Sequence, residues 1–594
     1  MTPSGLARTL ALATAALAPF AALAGTYDIT VDPVRIETAD FTKSGIGYNG
    51  SQIPTVLRFK EGEEVTIRVT NNLSEDTSIH WHGLILPFEE DGVPGISFPG
   101  IKPGETFTYR FPIVQSGTYW FHSHSGFQEP DGAFGAIVIE PRAREPYRYD
   151  RDYVVQFTDK HPHSGDRVFR NLKLSADYYN RKQRTLFDML SDAGDKGLGA
   201  ALADRAAWGD MRMMPTDVED VQGFAPMING RDAEANWTGL FKPGERVRLR
   251  LINSSAMTYF DVRIPGLKMT VVAADGNDVL PVVVDELRLG VAETYDVIVR
   301  PTEDRAYSVL GESMGRTAMA RGTLAPREGM AAEIPDLRPA PRLTMADMGM
   351  MEGMDHGDMG HGGMGQGGAS HVMPDGSTMP GDAHAAMAGG GHVMPDGSTM
   401  AGDAHAGMAG GGHTMPDGSR MEGMNHGAMP GMDHSGMAGG DPFYAPGSGL
   451  TPEAADGGKF LSYADLKARA PLYPDREATR EIELRLTGNM ERYIWSINGV
   501  KYEDAEPIRL RMGERVRFKF VNETMMTHPM HLHGMWSDLE DDQGSLRVRR
   551  HTIPVQPAQR ISFLTTPHDL GRWAWHCHLL FHMDAGMFRE VVVS

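Results

Sequence analysis

The sequence predicts an all-β chain built from three copies of one β-sandwich domain. Two observations carry that reading: one segment recurs three times, and many short alternating runs are broken by Gly, Pro and Asn. The recurring segments are Gly62-Glu-Glu-Val-Thr-Ile-Arg-Val-Thr-Asn71, Gly244-Glu-Arg-Val-Arg-Leu-Arg-Leu-Ile-Asn253 and Gly513-Glu-Arg-Val-Arg-Phe-Lys-Phe-Val-Asn522. Each alternates apolar and polar residues, the period of a strand with one buried face. Runs of this kind point to antiparallel sandwiches rather than α/β layers. At 594 residues the chain also exceeds what one hydrophobic core holds. A helix-like insertion, about Ser175 to Asp220, interrupts the second copy, and its Met211, Met213 and Met214 read as packing residues.

Apolar content of 41% and charged content of 23% are those of a soluble globular protein. A net charge of −21 argues against nucleic acid or an anionic membrane as partner. Residues 1–24 carry Arg8, an apolar run from Leu10 to Leu23, and Ala22-Leu23-Ala24 as a cleavage signature. They read as a removed signal peptide, so the mature chain is exported. No later segment has the uninterrupted apolar run that a membrane span needs.

The three copies diverge after the Asn. Nine and eleven residues on come His80 and His82 in the first copy, His531 and His533 in the third, but Val262 and Ile264 in the second. Five residues after Gly117 comes His122-Ser-His124, and five after Gly571 comes His576-Cys-His578. The first and third copies thus carry matching histidine pairs. On a strand, H-x-H puts both imidazoles on one face, so two facing domains can surround metal with eight nitrogens. Imidazole suits copper, zinc, iron or nickel alike.

Cys577, the only cysteine, narrows the choice. Between His576 and His578 it points to the opposite face, where His528, His582 and Met587 can join it. Two imidazoles, a thiolate and a weak thioether are the donor set of a blue-copper electron-transfer site. A buried inert cysteine is the plain alternative, and its histidine neighbours argue against it.

These signatures resemble the multicopper oxidases: His80-Trp-His82-Gly, His122-Ser-His124, His528-Pro-Met-His531-Leu-His533-Gly, and His576-Cys-His578 followed by His582 and Met587. Within that family the likeness is to periplasmic copper-resistance oxidases, over nearly the whole mature chain. It implies three cupredoxin-like Greek-key domains and four copper ions. His528, Cys577, His582 and Met587 would hold the type 1 ion, and His80 and His531 the type 2 ion. His82, His122 and His578 would bind one ion of the type 3 pair, and His124, His533 and His576 the other. Proton delivery would fall to Asp91, with Asp584 as the one acid near the HCH stretch. The implied limits are 25–145, 146–340 and 451–594 for the three domains, with the second binding no copper. Cu(I), Cu(II) and O2 would be its partners, with other periplasmic copper-handling proteins.

Between them lies a segment, 341–450, rich in Met, His and Gly. From Met345 to Met437 it holds 19 of the 38 methionines and nine histidines, including a 21-residue repeat that starts at His371 and again at His392. Lacking bulky residues it cannot bury a core, so disorder is expected, and its thioethers select Cu(I). The reading is an exported oxidase that takes electrons from Cu(I), with a laccase-like phenol oxidase and a copper-sequestering protein as rivals. Met525, Met526, Asp538 and Glu540 are the candidate residues for holding the incoming Cu(I).

Overall fold

The structure is a computed structural model that describes residues 23–210, 214–344, 347, 450, 452–470 and 476–594. It also describes four two-residue strands, which pair as His371–Val372 with Thr378–Met379 and His413–Thr414 with Arg420–Met421. The remainder of the Met/His-rich segment, with the disorder expected of it, lies outside the described residues. So does the expected signal peptide up to residue 22; Leu23 and Ala24 begin the first strand.

Three pairs of sheets make an all-β fold. The first is a four-stranded sheet (Thr42–Tyr48, Leu23–Glu37, Glu63–Asn71, Thr106–Pro112) with a three-stranded one (Val56–Lys60, Phe134–Glu140, Gly117–His122). The second and third pairs each join a six-stranded sheet to a five-stranded one. The recurring segment plays the same part in every pair. Glu63–Asn71, Val247–Asn253 and Val516–Asn522 each run parallel to their domain's long opening strand: Leu23–Glu37, Arg151–Lys160 and Arg480–Asn489. On its other edge each is antiparallel to a single partner: Thr106–Pro112, Thr294–Val299 and Arg560–Thr565.

The fixed letters of the repeat are its turns. Gly62, Gly244 and Gly513 have φ of 85°, 92° and 71°, a left-handed conformation that glycine adopts without strain. The Glu after each accepts the backbone N–H three residues back: Glu63 from Lys60, Glu245 from Lys242, Glu514 from Arg511, all at 2.8 Å. At the far end the buried Asn latches the next loop. Asn71 donates to the carbonyls of Glu75 and Ile101, Asn253 to those of Thr258 and Leu289, and Asn522 to those of Met526 and Val555. The latched loop then carries the histidines in the first and third domains.

Three helices lie in the insertion: Gly165–Leu174, Leu186–Lys196 and Leu198–Asp210. The first starts about ten residues earlier than expected because Ser164 caps it by accepting from Arg167 N–H. Thr185 and Asp188 form a capping box on the second. Met211 and Met213 fall outside the described residues. Among the described residues no helix is long and apolar enough to cross a membrane.

The domains meet in close contacts. Trp536 of the third is buried in the core of the first and donates Nε1–H to the Gly83 carbonyl at 2.9 Å. Arg550 of the third is buried between Asp275 and Glu293 of the second. Gly117 of the first, at φ 123°, lies against Gly276 of the second so tightly that a Cβ on it would sit 2.3 Å from the Gly276 carbonyl oxygen. Gly117→Ala is therefore expected to destabilise the metal-free protein by about 1–3 kcal/mol through overpacking. Scanning calorimetry checks this, and an unchanged unfolding temperature would rule out the backbone contact.

Candidate metal centre

Strand parity sorts the donors of the third domain onto two faces. His528–Leu532 pairs with Gly571–Cys577 so that Met530 is opposite Cys577 and His531 opposite His576. Residues two apart share a face, so His528, Met530 and Cys577 fall on one side. His531, His533, His576 and His578 fall on the other. The three-residue step from His528 to His531 is what switches faces.

In the first domain the two H-x-H segments pair directly. His80 N–H donates to the His122 carbonyl at 2.8 Å, and His122 N–H returns to His80 at 3.1 Å. Their imidazoles meet those of the third domain ring on ring. His80 stacks on His533 with centroids 3.8 Å apart, and His82 on His531 at 3.7 Å. His533 Nε2 and His576 Nε2 approach to 3.1 Å. The eight expected cluster histidines therefore come together, seven buried and His124 partly so.

Most of these rings are oriented from behind. His80 Nδ1 donates to the Asp91 carbonyl at 2.8 Å, His531 Nδ1 to the His551 carbonyl at 2.7 Å, and His576 Nδ1 to the Cys577 carbonyl at 3.0 Å. His533 Nδ1 donates to Asp91 Oδ2 at 3.0 Å, and His122 Nδ1 lies 2.6 Å from Glu129 Oε2. The inward nitrogens are left over: Nε2 of His80, His122, His124, His531 and His578 is buried without a partner. Buried polar atoms are rarely orphaned unless an ion or water belongs there. Burial, reinforced by neighbouring imidazoles, pulls the pKa of His82, His122, His124, His531, His533 and His578 well down, and that of His576 to about 4. Neutral imidazole is the ligating form. The residues present therefore fit a cluster of cations.

On the opposite face Cys577 Sγ lies 3.5 Å from His528 Nδ1 and 3.8 Å from His582 Nδ1, and the two nitrogens are 3.1 Å apart. Met587, fully buried, is tied to the same site: it accepts from Cys577 N–H at 3.1 Å and donates to the His582 carbonyl at 3.0 Å. Burial pushes the Cys577 thiol up, so only a cation in the site would hold it as thiolate.

Four residues at these sites escaped the sequence reading. Glu129, in the loop after His122-Ser-His124, is a second carboxyl group buried against the cluster, whereas Asp584 stands exposed at the end of helix Leu580–Asp584. Asp220 Oδ2 accepts from His582 Nε2 at 2.6 Å and from the Tyr493 hydroxyl at 2.7 Å. His551 backs His531 and is itself held by Asp275. Asp91 is 1% exposed at the end of the turn Phe88–Glu90, against His80 and His533.

The surface site expected for Cu(I) is not assembled. Asp538 is ion-paired with Arg515 and Arg549, and Glu540 with Arg517, both on strand Ser537–Glu540 of the six-stranded sheet. Carboxylates already saturated by guanidinium are not free to take a cation. Met526 is buried in the core with its carbonyl latched by Asn522, and Met525 is packed against that core.

A buried Cys–His–His–Met set beside eight converging imidazoles defines a copper protein of the oxidase type. The chain belongs to the multicopper oxidase family. Three family models, each described as multicopper oxidase, match residues 30–144, 174–327 and 475–594. The chain is 49% identical to copper resistance protein A of Escherichia coli, over 97% of this chain and 93% of that protein. It is 51% identical to copper resistance protein A of Pseudomonas syringae pv. tomato, over 99% and 96%. Among solved structures, a laccase from Botrytis aclada shares the fold with a TM-score of 0.62 and 19% identity, over 96% of this chain and 88% of that one.

Cys577→Ser removes the one sulfur ligand that gives copper an intense visible band. The expected protein is colourless and turns over no O2, yet still binds copper at the imidazole face. Absorption spectra with a copper count check this, and a variant that stays blue would exclude Cys577 as a ligand.

Proposed function

We propose that this multicopper oxidase protects against copper by oxidising Cu(I) one electron at a time and reducing O2 to water. One observation carries the reading. Cys577 sits on one face of a strand with His528 and His582, while its chain neighbours His576 and His578 belong to the imidazole cluster on the other. Each site is thus one residue from the other along a covalent path. The similarity to two copper resistance proteins and the Met/His-rich segment supply the substrate.

The residues fall into roles. His528, Cys577, His582 and Met587 would hold the type 1 ion, and His80 and His531 the type 2 ion. His82, His122 and His578, with His124, His533 and His576, would hold the type 3 pair, making four in all. Bound copper supplies the one-electron steps and the reduction of O2. Asp91 fixes His533 through its carboxylate and His80 through its carbonyl, and that same carboxylate would hand on protons. Glu129 would be a further proton-handling carboxyl at the other edge of the cluster, beside the expected Asp584. Asp220 orients His582 and would carry electrons toward it from Cu(I), whose binding residues are then other than the expected Asp538 and Glu540. The proposed setting is the periplasm, after loss of residues 1–24, with domains at 25–145, 146–340 and 451–594. The 341–450 segment would gather Cu(I) and exchange it with other copper-handling proteins.

The deciding experiment is O2 uptake with Cu(I) against a bulky phenol. Deleting residues 345–440 is expected to slow oxidation of scarce Cu(I) while sparing the phenol rate; equal rates with scarce Cu(I) would remove the gathering role. Asp220→Asn is expected to keep the blue band and lower kcat/KM for Cu(I) about 10-fold or more, as for other groups that orient metal ligands. Stopped-flow bleaching of the band by Cu(I) measures it, and a parent bleaching rate would exclude Asp220 from the route. Asp91→Asn is expected to slow re-oxidation of the reduced protein by O2 with copper content unchanged; parent kinetics would count against it.

A further inference from the structure

His82 differs from the other cluster histidines. Among the described residues it is the one imidazole with both ring nitrogens buried and unpartnered. Whichever nitrogen faces copper, the other is an N–H that needs an acceptor inside the protein. A ninth histidine stands next to it. His551 is 2% exposed, its Nε2 is also buried and unpartnered, and its ring meets that of His82 at 4.8 Å between centroids and 83° between planes. One ring nitrogen of each, together with one of His531, lie within 4.8 Å of one another. With no direct hydrogen bond between them, one water spans such a gap.

The surroundings leave His551 free to accept on that side. Its Nδ1 is 3.1 Å from Thr552 Oγ1 and 3.5 Å from Asp275 Oδ2, so the ring proton is engaged there and Nε2 keeps its lone pair. The same Asp275 oxygen accepts the backbone N–H of His551 at 3.1 Å and of Thr552 at 3.2 Å, and lies 3.0 Å from Arg550 Nε. Its other oxygen accepts from Thr294 N–H at 3.0 Å. Asp275 sits in a turn at φ 45°, a conformation Asp tolerates better than most residues. The ring also has a seat cut for it: a Cβ on Gly83, at φ 81°, would lie 2.5 Å from His551 Cδ2. Gly83 comes directly after His82, so ligand and seat are one loop.

We propose that His551, clamped by Asp275, is a positioning residue that accepts, through one bridging water, the hydrogen bond of the non-ligating nitrogen of His82 and so fixes that ligand's tautomer. One residue then serves two ligands, since its carbonyl already accepts from His531 Nδ1–H. The second domain, which carries no expected ligand, reaches the cluster through Asp275. This inference rests on His82 being a cluster ligand.

The test compares His551→Leu, His551→Gln and Asp275→Asn with the parent in copper titrations against a competing chelator. The blue band of the Cys577 site serves as internal reference, and the type 2 electron-spin signal is read at each point. His551→Leu is expected to weaken cluster copper about 10-fold or more and alter that signal, with the blue band at parent strength. His551→Gln, which offers a side-chain carbonyl as acceptor, is expected to recover most of the loss. Asp275→Asn is expected to move in the same direction by less, and it decides the matter if the Leu variant folds poorly. A Leu variant with parent cluster affinity and signal overturns the proposal. So does a Gln variant as damaged as Leu while the blue band stands. If the parent itself takes copper only at Cys577, the ligand role of His82 falls, and this inference with it.

Discussion

The two-residue period of a β-strand is the constraint on which both sites depend. At Gly571–Cys577 and the adjoining His578, alternation sends one sulfur to one face and two imidazoles to the other. A helix would spread three consecutive side chains around its axis and could not divide them between two faces. The neighbouring strand must then obey the same parity. It does so through the step from His528 to His531, with His531 opposite His576. The third domain's Asn522 latch and Gly513–Glu514 turn fix these strands within their sandwich, and Trp536, reaching into the first domain's core, ties them to that domain.

Burial makes the donors ready and also makes them costly to leave alone. Imidazoles drawn this far from water stay neutral, and their inward nitrogens find no partner. A cation resolves that cost, and the charge it brings must be answered. The answering carboxyl groups stand behind the rings rather than among them: Asp91 behind His533, Glu129, whose pKa burial pushes up, behind His122, and Asp220 behind His582. With these carboxylates outside the donor shell, the ligands facing the metal remain imidazole and thiolate. Soft and borderline donors of that kind favour copper over the harder cations that carboxylates attract.

What could be read from the sequence was whatever is local. H-x-H spacing, the lone cysteine and the recurring Gly–Glu…Asn segment are all written within a dozen residues. The supporting groups are not: Asp220 meets His582 across 362 positions, and Asp275 meets His551 across 276. His551 is a single histidine after two arginines, with no spacing to mark it. Asp538 and Glu540 misled for a related reason. They look like a free acidic loop in sequence, but Arg515 and Arg517 of the recurring segment, and Arg549 of the adjacent strand Leu546–Arg550, pair with them. Cross-strand order is set by topology, and one sequence does not print it.

The second domain shows what duplication keeps and what it gives up. Glu245 and Asn253 still make the turn and the latch, so the scaffold survives. Where its siblings carry histidines it has Val262 and Ile264, at 0% and 2% exposure, and the site has become core. Yet the segment between the first and third domains still touches both centres. Asp220 bonds His582, and Asp275 holds His551 beside His82 and His531. Without ligands of its own, this copy supplies carboxyl groups from the side away from the metal. The three copies thus divide the labour: two domains carry the candidate ligands, and the one between them orients what they bind with.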